Sequence, residues 1–288
     1  MSWGLYATQG LHGLVYGMLL FLVSAGLTLV FGMMGILNIA HAAFYMLGAY
    51  LAWTIVHLTG SFWLALAVAP PLVGGLGMLV ERFLLRRIHA FGHAYELLLT
   101  FGLFYMVSEA TRWVWGSYTL QVPMPPALAG SVPFLGGQYP VYRLFILGVS
   151  ALICLGMAVA LLRTRVGIII RSTVSDAQMV SALGINTPLV SLGVFGSGSA
   201  LAALAGVIAA PFVQADLSMG VGILVDLFVV IVIGGFGSLL GALLAALMIG
   251  ELQSFGILWF PEFAMVFEFL LMAAVLILRP QGLFGEKG

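Results

Sequence analysis

Nine runs of mostly apolar residues cover most of this 288-residue chain, at about 10–31, 41–58, 62–80, 95–115, 142–162, 188–210, 223–236, 239–258 and 263–278. A helix needs about 20 such residues to cross the hydrocarbon core of a bilayer, where only structures that pair every backbone group internally persist. The runs therefore predict an all-α, polytopic transmembrane helical bundle of about 8 to 9 spans. The seventh and ninth runs are short, and a short span beside a glycine cluster fits a half-helix or re-entrant segment. Composition excludes a soluble fold: 7% of the residues are charged and 62% hydrophobic, against about 25% charged in an ordinary soluble domain.

The charges that remain are placed unevenly. Arg82, Arg86 and Arg87 sit in one connection, Arg163, Arg165 and Arg171 in another, and Arg279 with Lys287 in the tail. With nine crossings all three groups fall on one side and only Arg112 and Arg143 on the other, so the positive-inside rule predicts a cytoplasmic C-terminus and an outer N-terminus. Trp3, Trp53, Trp63, Trp113, Trp115 and Trp259 all map at or near outer ends, where an indole hydrogen-bonds at headgroup level. The start, MSWGLYATQG, has no basic n-region, so the first run is expected to stay as an anchor. The longest stretches outside the runs are a proline-rich outer loop, 116–140, and a cytoplasmic loop, 163–187, which predicts one transmembrane domain over 1–288.

The only lysine is Lys287, followed by Gly288, so the chain has no G-x-x-x-x-G-K-[ST] loop and no means of holding a nucleotide's phosphates by that motif. No catalytic residue, cofactor site or metal site is predicted, because no carboxylate pair, Cys/His cluster or G-x-S-x-G elbow is present. Cys154 stands alone inside an apolar run, and a net charge of zero gives no basic face for nucleic acid.

Residues 22–48 laid on 224–250 share identities at Leu22/Leu224, Val30/Val232, Gly32/Gly234, Gly35/Gly237, Ala40/Ala242 and Gly48/Gly250, among others. Both segments run outside to inside on the predicted topology, which suggests a parallel internal repeat; chance within a chain of few residue types is the alternative. Each segment contains a glycine-rich break, FGMMGILNIAH and IGGFGSLLG, whose backbone groups need partners other than lipid. Asn38 and His41 are the polar side chains of the first break, and two readings stand side by side: substrate-pathway lining, or a helix cap and interhelical bonding.

Ionisable groups inside a span cost about 2.5–3.5 kcal/mol on insertion scales. Glu109 and Arg112, three apart, are expected to pair. Glu251 and Glu268 have no basic residue at matching depth, which leaves protonation, hydrogen bonding by neighbouring helices, or a wet pathway. Glycines and alanines spaced by four, Gly13/Gly17, Gly198/Ala202/Gly206 and Gly237/Gly241/Ala245, are read as helix-packing positions. The segment 171–186, RSTVSDAQMVSALGIN, reads as one short amphipathic helix stopped by Gly184, lying on lipid or docking a cytoplasmic partner.

The blocks LNIAHAAFYMLGAY (37–50), RSTVSDAQMVSALGIN (171–186), IGGFGSLLGA (233–242), Gly250 with Glu251, and RPQGLFG (279–285), together with Glu81 followed by Arg82, resemble the permease subunit of bacterial branched-chain amino acid ABC importers, the LivH type. The resemblance implies a multi-pass inner-membrane subunit that forms half of a translocation pathway. It also implies a second related permease, two cytoplasmic ATPases that hold the ATP and magnesium, and a periplasmic binding protein. On that reading Arg171, Asp176, Met179 and Gly184 belong to the element that couples to the ATPase, and Asn38, His41 and Glu251 to the pathway. The chain departs from the usual pattern at Ala42 and Ser172 and in lacking a proline after the third run. Relatives serve urea, short amides and aromatic or other carboxylates, so the resemblance leaves the substrate open. The competing class is a self-contained proton-coupled transporter or channel using Glu251, Glu268 or His41.

Overall fold

The computed structural model describes residues 3–135 and 137–285, so Lys287 lies outside the described residues. Each of the nine apolar runs falls on a helix. The helices are α1 (Trp3–Met34), α2 (Ala40–Thr59), α3 (Phe62–Val80), α4 (Arg86–Ile88), α5 (His93–Trp115), α6 (Val141–Arg163), α7 (Arg165–Ser175), α8 (Ala177–Ala182), α9 (Thr187–Val213), α10 (Met219–Gly234), α11 (Leu239–Trp259) and α12 (Ala264–Leu278). A π-helical turn, Glu81–Leu85, carries α3 into α4. Six helices are long and apolar enough to cross a membrane: α1, α2, α3 with its extension, α6, α9 and α11. α5 has 23 residues but includes Glu96, Glu109 and Arg112, whereas α10 and α12 are apolar and short. The protein is an all-α polytopic membrane bundle.

Two local features depart from the sequence reading. The segment 171–186 is two helices, because Asp176 turns extended at φ −157° and caps α8, its Oδ1 accepting the Met179 N–H at 2.8 Å. An aspartate competes well for the backbone donors of a helix start, which makes it a better cap than an interior residue. The proline-rich loop 116–140 contains an antiparallel hairpin, β1 (Ser131–Phe134) with β2 (Gly137–Pro140), in which Val132 faces Tyr139.

The chain forms two compact units. One draws on Met1–Ala25, Met124–Leu152 and Val225–Gly288, the other on Gly26–Pro123 and Ile153–Leu224. In the second unit α9 packs against both α2 and α3. The contact is made by missing side chains: a Cβ on Gly48 would lie 2.6 Å from the Ala203 Cα, and one on Gly74 would lie 3.0 Å from the Gly196 carbonyl oxygen. Glu96 closes the turn into α5, its two oxygens meeting His89 Nδ1 at 2.5 Å and His93 Nδ1 at 3.1 Å. The expected Glu109–Arg112 pair forms, at 3.0 Å. Beyond α9, Leu120 and Ala215 pair as a two-residue bridge, and the Asp216 carboxylate accepts from the Ser218 N–H at 2.6 Å and the Thr119 hydroxyl at 3.2 Å.

In the first unit α1 crosses α11 as closely. A Cβ on Gly17 would lie 2.8 Å from the Ala246 carbonyl oxygen, and one on Gly250 would lie 2.7 Å from the Gly17 Cα. Tyr139 of the hairpin is buried and stacks on His12 of α1, ring centroids 5.1 Å apart.

Two expectations follow. Gly48→Ala must push α2 off α9 and is expected to cost about 1–3 kcal/mol, whereas Gly75, with open space around its Cβ position, should gain about 0.5–1 kcal/mol on replacement by alanine in a helix. Thermal unfolding in detergent measures both, and equal midpoints would refute the packing account. The second expectation concerns Asp216, whose carboxyl is held below its ordinary value of 3.8 first by the Ser218 hydrogen bonds. A depressed carboxylate stabilises the fold above its unfolded value and loses that contribution as pH falls through the folded value. The midpoint gap between wild type and Asp216→Asn should therefore be full above pH ~5 and close at more acid pH.

Candidate functional site

The two glycine breaks are built differently. α1 ends at Met34, and Gly35 turns the chain with φ +67°, its N–H bonding the Phe31 carbonyl at 2.8 Å. The next residues form no regular structure, and α2 begins after Ile39, which offers no side-chain cap. The Asn38 carbonyl accepts the His41 N–H at 3.1 Å, so Asn38 opens the helix with its backbone. Its side chain does no capping. The amide is 1% exposed, and neither its Nδ2 nor its Oδ1 has a hydrogen-bond partner among the described residues.

A buried polar group without a partner costs about 1–3 kcal/mol, and such groups are few in native proteins. The Thr28 hydroxyl of α1 and the Tyr50 hydroxyl of α2, in the same unit, are likewise buried without a hydrogen-bond partner among the described residues. His41 is fully buried in the first turn of α2, with its Cε1 2.9 Å from where a Cβ on Gly26 would stand. The glycine at 26 thus makes room for an imidazole, which no spacing rule in the sequence reveals.

At the second break α10 ends in Gly234, Gly235 and Gly237 turn with φ +95° and +78°, and Ser238 caps α11, accepting the Gly241 N–H at 3.0 Å. The tail returns to this turn. The Leu283 and Phe284 N–H groups bond the Ile233 and Gly234 carbonyls at 2.8 and 3.1 Å, and a Cβ on Gly282 would lie 2.5 Å from the Gly235 Cα. Two of the sequence blocks, IGGFGSLLGA and RPQGLFG, therefore form one folded object.

Glu251 stands one residue beyond the α1–α11 crossing, partly exposed, and a Cβ on Gly13 would come within 2.6 Å of its Oε2. In the same unit the Tyr16 hydroxyl donates to Asp226 at 3.0 Å, the Ser254 hydroxyl to the Gln9 carbonyl at 2.8 Å, and Glu268 is buried with its Oε1 unpartnered among the described residues. Gln9, His12 and Tyr16 were not singled out from the sequence, although their spacing of three and four puts them on one face of α1. Among the described residues no three His, Cys, Asp or Glu side chains gather as a metal would require.

Asn38 and His41 belong to one unit and Glu251 to the other. The remaining predicted residues lie on the α7–α8 hook. Arg171, exposed on α7, reaches back to the Leu161 carbonyl. Asp176 caps α8, Met179 is exposed, and Gly184 ends the hook with φ +86° and open space at its Cβ position. Val174, Met179 and Leu183 are 50%, 59% and 74% exposed, in a segment that is too short to span a bilayer.

The profile of the family described as "Branched-chain amino acid transport system / permease component" matches residues 10–276. The chain is 28% identical to the high-affinity branched-chain amino acid transport system permease protein BraD of Pseudomonas aeruginosa, over 98% of this chain and 96% of that protein. It is 26% identical to LivH of Salmonella typhimurium, with the same coverage. It is 25% identical to the probable permease protein LivH of Methanocaldococcus jannaschii, over 94% of this chain and 90% of that one. No solved structure matches the chain significantly. With most of α1, the other five membrane-length helices among the described residues, both glycine breaks and the hook inside the matched residues, the chain belongs to the branched-chain amino acid transport permease family.

Proposed function

We propose that the chain is the membrane subunit of an ATP-driven importer, forming half of a pathway for branched-chain amino acids or a related small polar solute delivered by a periplasmic binding protein. It works beside a second related permease, in the inner membrane, with its N-terminus outside and its C-terminus in the cytoplasm. Two cytoplasmic ATPase subunits supply the ATP chemistry, and the chain itself is a transport subunit without enzymatic activity. The orientation rests on the agreement of arginine and tryptophan positions, and the substrate class on the names of the relatives.

The observation that carries the ATP-driven reading is the α7–α8 hook. It exposes Val174, Met179 and Leu183 around a capped break and a left-handed glycine. An amphipathic helix of this kind seats in a groove of a partner, and a rigid hook transmits the partner's movement to α9, which follows at Thr187. The rival reading, a self-contained proton-coupled carrier, gives the hook no task.

Gly184→Val places a β-branched residue at φ +86° and should strain the hook by about 1–3 kcal/mol, lowering uptake about tenfold while ATP hydrolysis by the assembled complex persists. Unchanged uptake would remove the hook from the coupling role.

Asn38, His41 and Glu251 are the proposed polar contacts of the solute, and Asn38 is the strongest because its buried amide keeps both donor and acceptor unspent. Asn38→Leu tests this directly. Replacing an unpartnered polar group by an apolar one of similar shape should leave stability unchanged or raised, while uptake falls about fivefold, the worth of one hydrogen bond. A drop in stability matched by the drop in uptake would make Asn38 a structural residue.

A further inference from the structure

The turn after α3 and the start of α9 border an open cavity of about 340 Å³ lined by Arg82, Arg86, Asn186, Pro188, Leu189 and Leu192. The 19 residues of α3 rise about 28 Å at 1.5 Å per residue, close to the ~30 Å of a bilayer's hydrocarbon core. The turn that follows, Glu81–Leu85, therefore lies at headgroup depth whichever way the chain is inserted.

The two arginines are employed differently. Arg86 bonds the Glu81 carboxylate at 2.9 Å and the Pro188 carbonyl at 2.9 Å, which neutralises its charge and ties the two helix ends together. Arg82 has no ion pair or hydrogen bond among the described residues, and its guanidinium carbon lies 5.7 Å from the Phe83 ring centroid. A cationic fork with five donors beside an alkyl wall, Leu189 and Leu192, matches an amphiphile with a phosphate at one end. A soluble anion has no use for the leucines, and a zwitterionic lipid, although it carries a phosphate, brings its own cationic amine and so leaves the guanidinium's charge uncompensated.

We propose that this cavity binds the phosphodiester headgroup of an anionic membrane phospholipid, with Arg82 forking the phosphate oxygens and Leu189 and Leu192 lying against the first acyl carbons. The Asn186 Oδ1 is engaged in capping α9 through the Leu189 N–H at 3.2 Å, while its amide NH₂, without a hydrogen bond among the described residues, remains as a further donor. The site couples lipid composition to the root of α9 and so to the hook that ends at Gly184. It depends on neither the importer reading nor the direction of insertion.

The test is native mass spectrometry of the full-length chain, extracted with mild detergent and titrated with phosphatidylglycerol or phosphatidylcholine. Phosphatidylglycerol should be retained in preference to phosphatidylcholine, and Arg82→Gln should weaken that retention about fivefold or more. Arg82→Lys should fall between the two, because it keeps the charge without the fork, and Arg112→Gln, at the far end of α5, should match wild type. Leu192→Trp, which fills the cavity with every charge in place, should also lose the lipid; it decides the matter if Arg82→Gln is not recovered folded. Equal retention of the two lipids, or retention unaffected by Arg82→Gln and Leu192→Trp, would overturn the proposal. Displacement of the bound lipid by millimolar glycerol phosphate would overturn the lipid assignment in favour of a soluble phosphate.

Discussion

Lipid tails are as apolar as leucine, so two helices in a bilayer gain little by hiding apolar surface from each other, and close packing has to supply the attraction. The contacts that hold each unit of this protein are accordingly made where side chains are missing. Gly48 of α2 meets Ala203 of α9, Gly74 of α3 meets Gly196 of α9, and Gly17 of α1 meets Gly250 of α11. Each allows backbone to touch backbone, and each fixes the height at which one helix crosses the next. The polar groups described above are placed by these crossings, since a shift of one residue along any of them would turn the neighbouring side chain to another face.

The internal match gains content from this. Gly35 and Gly237 are equivalent in the match, and both turn with positive φ, +67° and +78°. Gly48 and Gly250 are equivalent as well, and each sits at a tight helix crossing in its own unit. Chance identity in an apolar chain does not require equivalent residues to perform equivalent structural tasks. The two helix–turn–helix segments share a left-handed turn and a crossing glycine at matched positions, the pattern that the suggested repeat calls for.

The two segments differ where polarity matters. At the second break the returning tail takes the Ile233 and Gly234 carbonyls, and Ser238 caps the next helix. Among the described residues, no tail segment bonds the first break, Ile39 provides no cap, and the Asn38 amide remains buried and unpartnered. One break is a closed joint; the other holds hydrogen-bonding capacity in reserve, at a cost in stability. That asymmetry is why Asn38 carries more of the pathway reading than Glu251, whose carboxylate stands at a packed crossing.

Much of this was legible in the chain. Hydropathy alone located nine helices, because a bilayer leaves the backbone no other way to pair its polar groups within a single segment. The short seventh and ninth runs, the Glu109–Arg112 pair and the packing positions Gly13/Gly17 and Gly198/Ala202/Gly206 follow from length and helical spacing, which are local properties, whereas Gly237, read as a helix-packing position, lies in the turn before α11. The break at Asp176 was not legible: its cap competes with the helix that the apolar pattern favours, and the winner depends on how α7 and α8 are seated. Nor did the sequence disclose that RPQGLFG pairs with IGGFGSLLGA, that Gly26 yields space to His41, or that Arg82 and Leu192 share a cavity, since each joins residues tens to more than a hundred positions apart. The sequence by itself determined which segments are helical and where glycines relieve the backbone. Only the tertiary structure decided which glycines touch, which polar atoms find partners and which do not, because those depend on the depth at which separate helices meet.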